Sequence, residues 1–267
     1  VMVTSHGYGA VVMGAQRLAR VTGGEFHEVA IPLDASAELV LELVDHALSA
    51  RRIHLLVVDQ ITSATARAFP TAELCDLGHA HGALVLVDGA HAPGVLEQPV
   101  ETRADVWVGN LHKFWCAPHG AAALVRNNPD LDLYPLIDSW SAPDPFPARF
   151  DYQGTLDATP WLCAPVAHDH LGTELGWAAI REHSARAMDV ATEMACEVLN
   201  DLGVEDPIPD VGQPVAPMRL LRLPCQRSWS HAEVDALRVP FMDMTRCVVS
   251  FTNVGPAGFM RLAAHAY

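Results

Sequence analysis

Three short apolar runs restrict the fold of this chain more than any other feature: HLLVV (54–58), ALVLV (83–87) and DVWVG (105–109). Each has the length of a β-strand and is hydrophobic on both alternating faces, so each needs cover on two sides. Stretches with apolar residues at helical spacing surround them. Residues 9–21 (GAVVMGAQRLARV) form one, closed by Gly23 and Gly24; 37–50 (AELVLELVDHALSA) form a second; 71–81, opened by Pro70, form a third. The alternation predicts an α/β fold with helices over a mostly parallel sheet.

Open sheets of that kind hold ligands beyond the carboxyl ends of their strands. The sequence puts polar residues at those ends: Asp59 to Ser63, Asp88 to His91, and Asn110 to Lys113. Three strands therefore deliver polar groups to one rim. Residues 126–160, rich in Pro, Asp and aromatics, have little periodicity and read as a long functional loop region. Helical patterns return at 164–181 and 185–202, followed by a strand at 218–223, a helix at 230–238, a strand at 246–251 and a last helix at 256–266. The expected organisation is a large domain over 1–182 and a small C-terminal α/β domain over 183–267.

Charge and cysteine usage exclude several classes of partner. Seventeen basic residues against 32 acidic ones leave a formal charge of −15, a field that repels nucleic-acid phosphates and anionic lipid surfaces. No stretch approaches the roughly 20 apolar residues of a membrane helix, and VMVTSHGYGA lacks the charged-then-apolar order of a signal peptide. The six cysteines are far apart with no C-x-x-C pair, which points to a reducing, cytoplasmic setting without a zinc knuckle or a disulfide framework. The pairs His79/His81 and His168/His170 are two residues apart within helical patterns, so neither shares a helix face and no metal site is expected from them.

Sixteen of the 17 basic residues are Arg; Lys113 is the single lysine. Arg keeps its proton near neutral pH and cannot form an imine with an aldehyde, whereas a partly desolvated lysine amine can. Pyridoxal 5′-phosphate (PLP) chemistry needs such a lysine, a carboxylate to keep the pyridine nitrogen protonated, donors for the phosphate and a flat group over the ring. Asp88, at the end of a strand, is placed to be that carboxylate.

The runs VDGAHAPG (87–94) and VGNLHKFWCAPHGAAAL (108–124), with DQITSATARAFP (59–70) upstream and QGTLD (153–157) downstream, resemble the class V aminotransferase family of fold type I PLP enzymes, especially its isopenicillin N epimerase-like branch. The resemblance implies that Lys113 is the Schiff-base residue and Asp88 the partner of the pyridine nitrogen. It implies that His91 reaches the phenolic oxygen of the ring, that Asn110 and His112 contact the phosphate, that Thr62 lies near the ring's oxygen edge, and that Tyr8 stacks on the pyridine. Gly154 and Thr155 match a Gly-Thr pair that crosses to a neighbouring subunit's phosphate, which implies a homodimer with shared sites.

The chain departs from the family pattern in three places. It begins almost at the Tyr8 segment, where related chains carry a further N-terminal piece with a phosphate-binding helix start, so an N-terminally incomplete large domain is expected. Val248 stands where related enzymes carry an Arg for the substrate carboxylate, which leaves Arg246, two residues earlier on the same face of the expected strand, as the substitute. His119 replaces a basic residue in the A-P-x-G turn. The expected activity is a PLP-dependent reaction at the α-carbon of an amino acid or a derived peptide: epimerisation, transamination, or the C–S cleavage of a lyase or cysteine desulfurase-like enzyme. The readings set against it are a non-catalytic remnant acting as a dimerisation or binding module, and a metal-dependent hydrolase using Asp88, His91 and His112.

Overall fold

The computed structural model describes residues 1–225 and 228–266. Five parallel strands and one antiparallel edge strand form the main sheet, in the order β2-β1-β3-β4-β5-β6. They are β1 (Met2–Thr4), β2 (His27–Val29), β3 (Leu55–Asp59), β4 (Leu84–Asp88), β5 (Val106–Asn110) and β6 (Ala122–Arg126). The three apolar runs are its centre, β3 to β5.

Side-chain alternation sends the two rows of each strand to different helices. Leu56 and Val58 of β3, Val85 and Val87 of β4, and Trp107 of β5 pack with Val40, Val44 and Leu48 of α2 (Ala37–Ser49) and with Leu74 and Cys75 of α3 (Thr71–Ala80). The opposite row, with Leu55, Val57 and Leu86, meets Val11, Val12 and Ala15 of α1 (Gly9–Thr22). At the carboxyl end this second row finishes in polar residues, because Asp59, Asp88 and Asn110 are the last residues of β3, β4 and β5.

Trp107 explains two glycines at that rim. Its indole is buried and donates to Gln60 Oε1 at 3.0 Å. A Cβ on Gly89 would come within 2.2 Å of the indole nitrogen, and one on Gly109 within 2.1 Å of the ring. Both positions flank residues of the rim, so the tryptophan fixes the backbone that carries Asp88 and Asn110.

Beyond the sheet, residues 127–158 are largely irregular. Two helices follow, α4 (Thr159–Glu174) and α5 (Trp177–Asp201). The expected domain boundary at residue 182 falls inside α5. A second sheet is antiparallel, ordered β7-β9-β8, from β7 (Met218–Arg222), β8 (Ser250–Val254) and β9 (Ala257–Ala263). Between β7 and β8 lies α6 (His231–Thr245), which begins with a capping box between Ser230 and Glu233 and runs past the expected end through Pro240.

Two expectations fail here. The segment 256–266 is strand β9 and not a helix, because it pairs with β7 on one side and β8 on the other. The strand expected over 246–251 begins only at Ser250; Arg246 is the left-handed cap of α6, with φ 61°.

Candidate active site

A cavity of about 630 Å³ opens at the rim of the main sheet, between α1 and the ends of β3, β4 and β5. Its wall along the sheet is apolar, with Leu55, Val57, Leu86 and Val108; its polar lining is Tyr8, Asp59, Ser63, Asp88, His91, Asn110, His112 and Lys113. Six residues singled out in the sequence, Tyr8, Asp88, His91, Asn110, His112 and Lys113, thus face one space.

The loop after β5 delivers the lysine. It is closed by Leu111 N–H donating to the Ala121 carbonyl at 3.0 Å and by Ala117 N–H donating to the Leu111 carbonyl at 2.8 Å. His112 Nδ1 lies 3.0 Å from the Ala121 carbonyl, and donation to that oxygen leaves Nε2 open to the cavity side. Phe114 is buried and packs edge-on against His91, so Lys113 projects from an anchored turn.

Lys113 Nζ lies 3.3 Å from His91 Nε2. On its other side, His91 Nδ1 lies 3.3 Å from the Ile61 carbonyl; donation there makes Nε2 the acceptor of a lysine proton. Burial first, then the Lys113 and Arg261 charges, push the His91 imidazole down to about 3, so it is neutral at physiological pH. Burial also lowers the Lys113 amine from the ordinary lysine range, opposed by the Asp88 carboxylate, while Arg261 pushes it down further. An amine of lowered basicity beside a neutral imidazole is the setting in which lysine becomes nucleophilic.

Asp88 is 8% exposed, its Oδ1 accepts from Ala90 N–H at 3.0 Å, and burial raises its carboxyl above the usual range. Asp59, on the adjoining strand, is 4% exposed and is pushed up to about 8 by burial and by Asp88.

Arg261 of β9 enters the site from the second sheet. Its guanidinium donates to the Ser63 carbonyl and, at 3.2 Å, to Ser63 Oγ, while its buried Nε has no hydrogen-bond partner. With Met218, His119 and His265 it lines an adjoining cavity of about 380 Å³ that shares His91, His112 and Lys113 with the first. Lys113 therefore stands where the two cavities meet.

The sequence profile of the class-V aminotransferases matches residues 1–200. The chain belongs to the class-V aminotransferase family. Isopenicillin N epimerase of Streptomyces clavuligerus is 30% identical over 200 residues, covering 68% of this chain and 50% of that protein. Cysteine desulfurase of Enterobacter sp. (strain 638) is 30% identical over 213 residues, covering 73% and 50%. The chain spans about half the length of these curated relatives. Alanine–glyoxylate aminotransferase of Nostoc sp. has the same fold, with a TM-score of 0.70 at 14% identity over 100% of this chain and 70% of that one. The architecture is that of fold type I PLP enzymes, a mostly parallel sheet with a small antiparallel one.

Some residues that the class-V pattern singles out lie away from the cavity. The Thr62 side chain is fully buried in a turn, bonded to Thr65 Oγ1 at 2.7 Å and to the Arg67 backbone, and the neighbouring Ser63 lines the cavity instead. Gly154 and Thr155 sit in the long irregular segment, Gly154 at φ 104° and Thr155 exposed. Arg246 is exposed at the end of α6 and lines neither cavity, so the two-residue strand argument for it does not hold. Arg261 was not anticipated. Its signal was an arginine in the middle of the apolar run GFMRLAA, a position that strands rarely give to a charge without a partner.

Three of the four paired histidines have local partners: His79 bonds Asp105 at 2.9 Å, His81 bonds Asp45 at 2.7 Å, and His168 stacks with Trp115 and Trp177. Among the described residues no group of three His, Cys, Asp or Glu could hold a metal ion, and no helix is long and apolar enough to cross a membrane.

The residues present fit PLP. The cavity volume is in the range of small-molecule sites. One face offers a lysine amine of lowered basicity, the floor offers a buried carboxylate, and Arg261 carries an unpartnered buried N–H at the edge.

Proposed function

We propose that this chain belongs to a PLP enzyme acting at the α-carbon of an amino acid or amino-acid-derived substrate. The observation that carries the reading is the convergence of its only lysine, a neutral histidine and a buried carboxyl on one cavity at the strand ends. When bound, PLP supplies an aldehyde for an amine and a ring that withdraws electrons from the carbon next to it.

The protein's own groups would do the rest. Lys113 would hold the aldehyde through Nζ, and His91 Nε2 would orient that nitrogen by accepting a hydrogen bond from it. Asp88 would keep the ring nitrogen protonated, Tyr8 would cover the ring from the start of α1, and Asn110 and His112 would donate to the phosphate. Arg261, in place of Arg246, would bind a substrate carboxylate at the junction of the two cavities. Fixed donors of this kind position the substrate before any bond changes.

Epimerisation and transamination share these requirements, and the similarity to an isopenicillin N epimerase favours the epimerase-like branch. The similarity to a cysteine desulfurase supports C–S cleavage as the second reading. A homodimer is part of the proposal. Leu136, Trp140 and Leu162, at 103%, 88% and 71% exposure, lie on and just after the irregular segment that carries Gly154 and Thr155, an apolar surface suited to a second subunit. The six free cysteines suit a reducing, cytoplasmic setting.

Addition of PLP to the purified protein tests the reading by absorbance. A new band for lysine-bound cofactor, lost in Lys113→Ala, supports it; no band in the wild type overturns it and favours a binding module without catalysis.

A further inference from the structure

The roles assigned above leave Asp59 without a task. It ends β3 as Asp88 ends β4, and the two are partners in register on neighbouring parallel strands. Both continue the row of side chains that faces the cavity. Strands are about 4.8 Å apart, so two buried carboxyls stand side by side on the floor of the site. Among the described residues neither takes part in an ion pair.

The surroundings decide how much charge this floor can carry. Lys113 faces both carboxyls from the loop after β5, and His91, beside that lysine, is neutral. Asp88 has a donor in Ala90 N–H, and the backbone N–H of Tyr8, the residue that opens α1, works against the rise at Asp59 without outweighing burial and Asp88. One lysine offsets one negative charge. A second unscreened carboxylate at this separation would be repelled, and paired buried carboxyls relieve that repulsion by sharing a proton. Asp59 is the more deeply buried of the two, and its carboxyl is raised to about 8.

We propose that Asp59 is a positioning residue: its carboxyl holds the one proton of the pair and donates it in a hydrogen bond to Asp88, so that Asp88 presents a single, oriented negative charge to the ring nitrogen of PLP. The inference rests on the PLP reading of the site.

Two measurements on the purified protein separate this inference from the reading beneath it. Without PLP, carbon-13 NMR of labelled aspartate should show one carboxyl titrating near 8, absent in Asp59→Asn and moved to lower pH in Asp88→Asn. If no aspartate titrates above the ordinary carboxylate range, the shared proton is wrong, whatever PLP does. With PLP, Asp59→Ala should weaken binding about tenfold, and Asp59→Asn, which can still donate to Asp88, should recover most of that loss. Should Asp59→Asn instead lose PLP as completely as Asp88→Asn, Asp59 is an ionised partner of the ring and the proposal fails. A wild type that binds no PLP removes the underlying reading, while the titration still decides the proton pair.

Discussion

Lys113 Nζ and His91 Nε2 are 3.3 Å apart, and the far nitrogen of the same imidazole faces the Ile61 carbonyl. The backbone thereby sets the tautomer, and the tautomer aims a lone pair at the lysine. Because burial and two nearby cations hold His91 neutral down to about pH 3, its state does not change across the working range of an enzyme. Nitrogen-15 NMR should find Nε2 unprotonated from about pH 5 to 8, and an imidazole titrating near its ordinary value would contradict the geometry. His91→Phe should slow covalent attachment of PLP by about tenfold, the scale of losing one hydrogen bond that orients the lysine amine.

Asp59 gives stability a definite pH dependence. In the unfolded chain its carboxyl loses a proton around 3.8, in the folded one around 8, so between those values the folded state binds more protons and stability falls as pH rises. His91 acts in the opposite sense. Unfolded it charges below 6.5, folded only near 3, so stability is lost as pH falls through that window. The two slopes offset each other from 3.8 to 6.5, and above 6.5 Asp59 acts without that opposition. Urea unfolding should show a loss of about 2 kcal/mol between about pH 6.5 and about pH 8.5. Asp59→Asn should remove most of the loss; a wild type equally stable at both pH values would contradict the assignment.

Arg261 and Arg246 make opposite predictions. Arg261 borders the lysine and has an unpartnered buried N–H, whereas Arg246 is exposed at the end of α6. Arg261→Met should weaken amino-acid binding to the PLP form about 100-fold, the scale of a lost charge-assisted pair, while leaving PLP bound. Arg246→Ala should leave both unchanged. Spectral titration with an amino acid measures the two together, and the reverse pattern would return the role to Arg246.

Much of this architecture is legible in the sequence because it is local. The runs at β3, β4 and β5 announce buried strands by being apolar on both faces, and the polar residues after them mark the rim directly. The single lysine marks Lys113 as the candidate for an imine, whereas the role expected of Asp88 rests on the family resemblance of the run VDGAHAPG. The three-residue strands β1 and β2 carry too few residues to show a period. β9 was misread because GFMRLAAHA suits a helix by composition, and only its pairing with β7 and β8, remote in sequence, makes it extended. That error also hid Arg261, because an arginine on an exposed helix needs no explanation and one inside a strand between two others does. Thr62 and Ser63 differ for a similar reason: which hydroxyl faces the cavity depends on the turn that bonds Thr62 to Thr65 and Arg67.

Because Lys113 is the only lysine, the central claim has a direct measurement. Borohydride reduction of the protein with PLP, followed by peptide mass spectrometry, should fix one pyridoxyl group on the peptide that contains Lys113. Incorporation confined to the N-terminal amine, or none at all, would contradict the account.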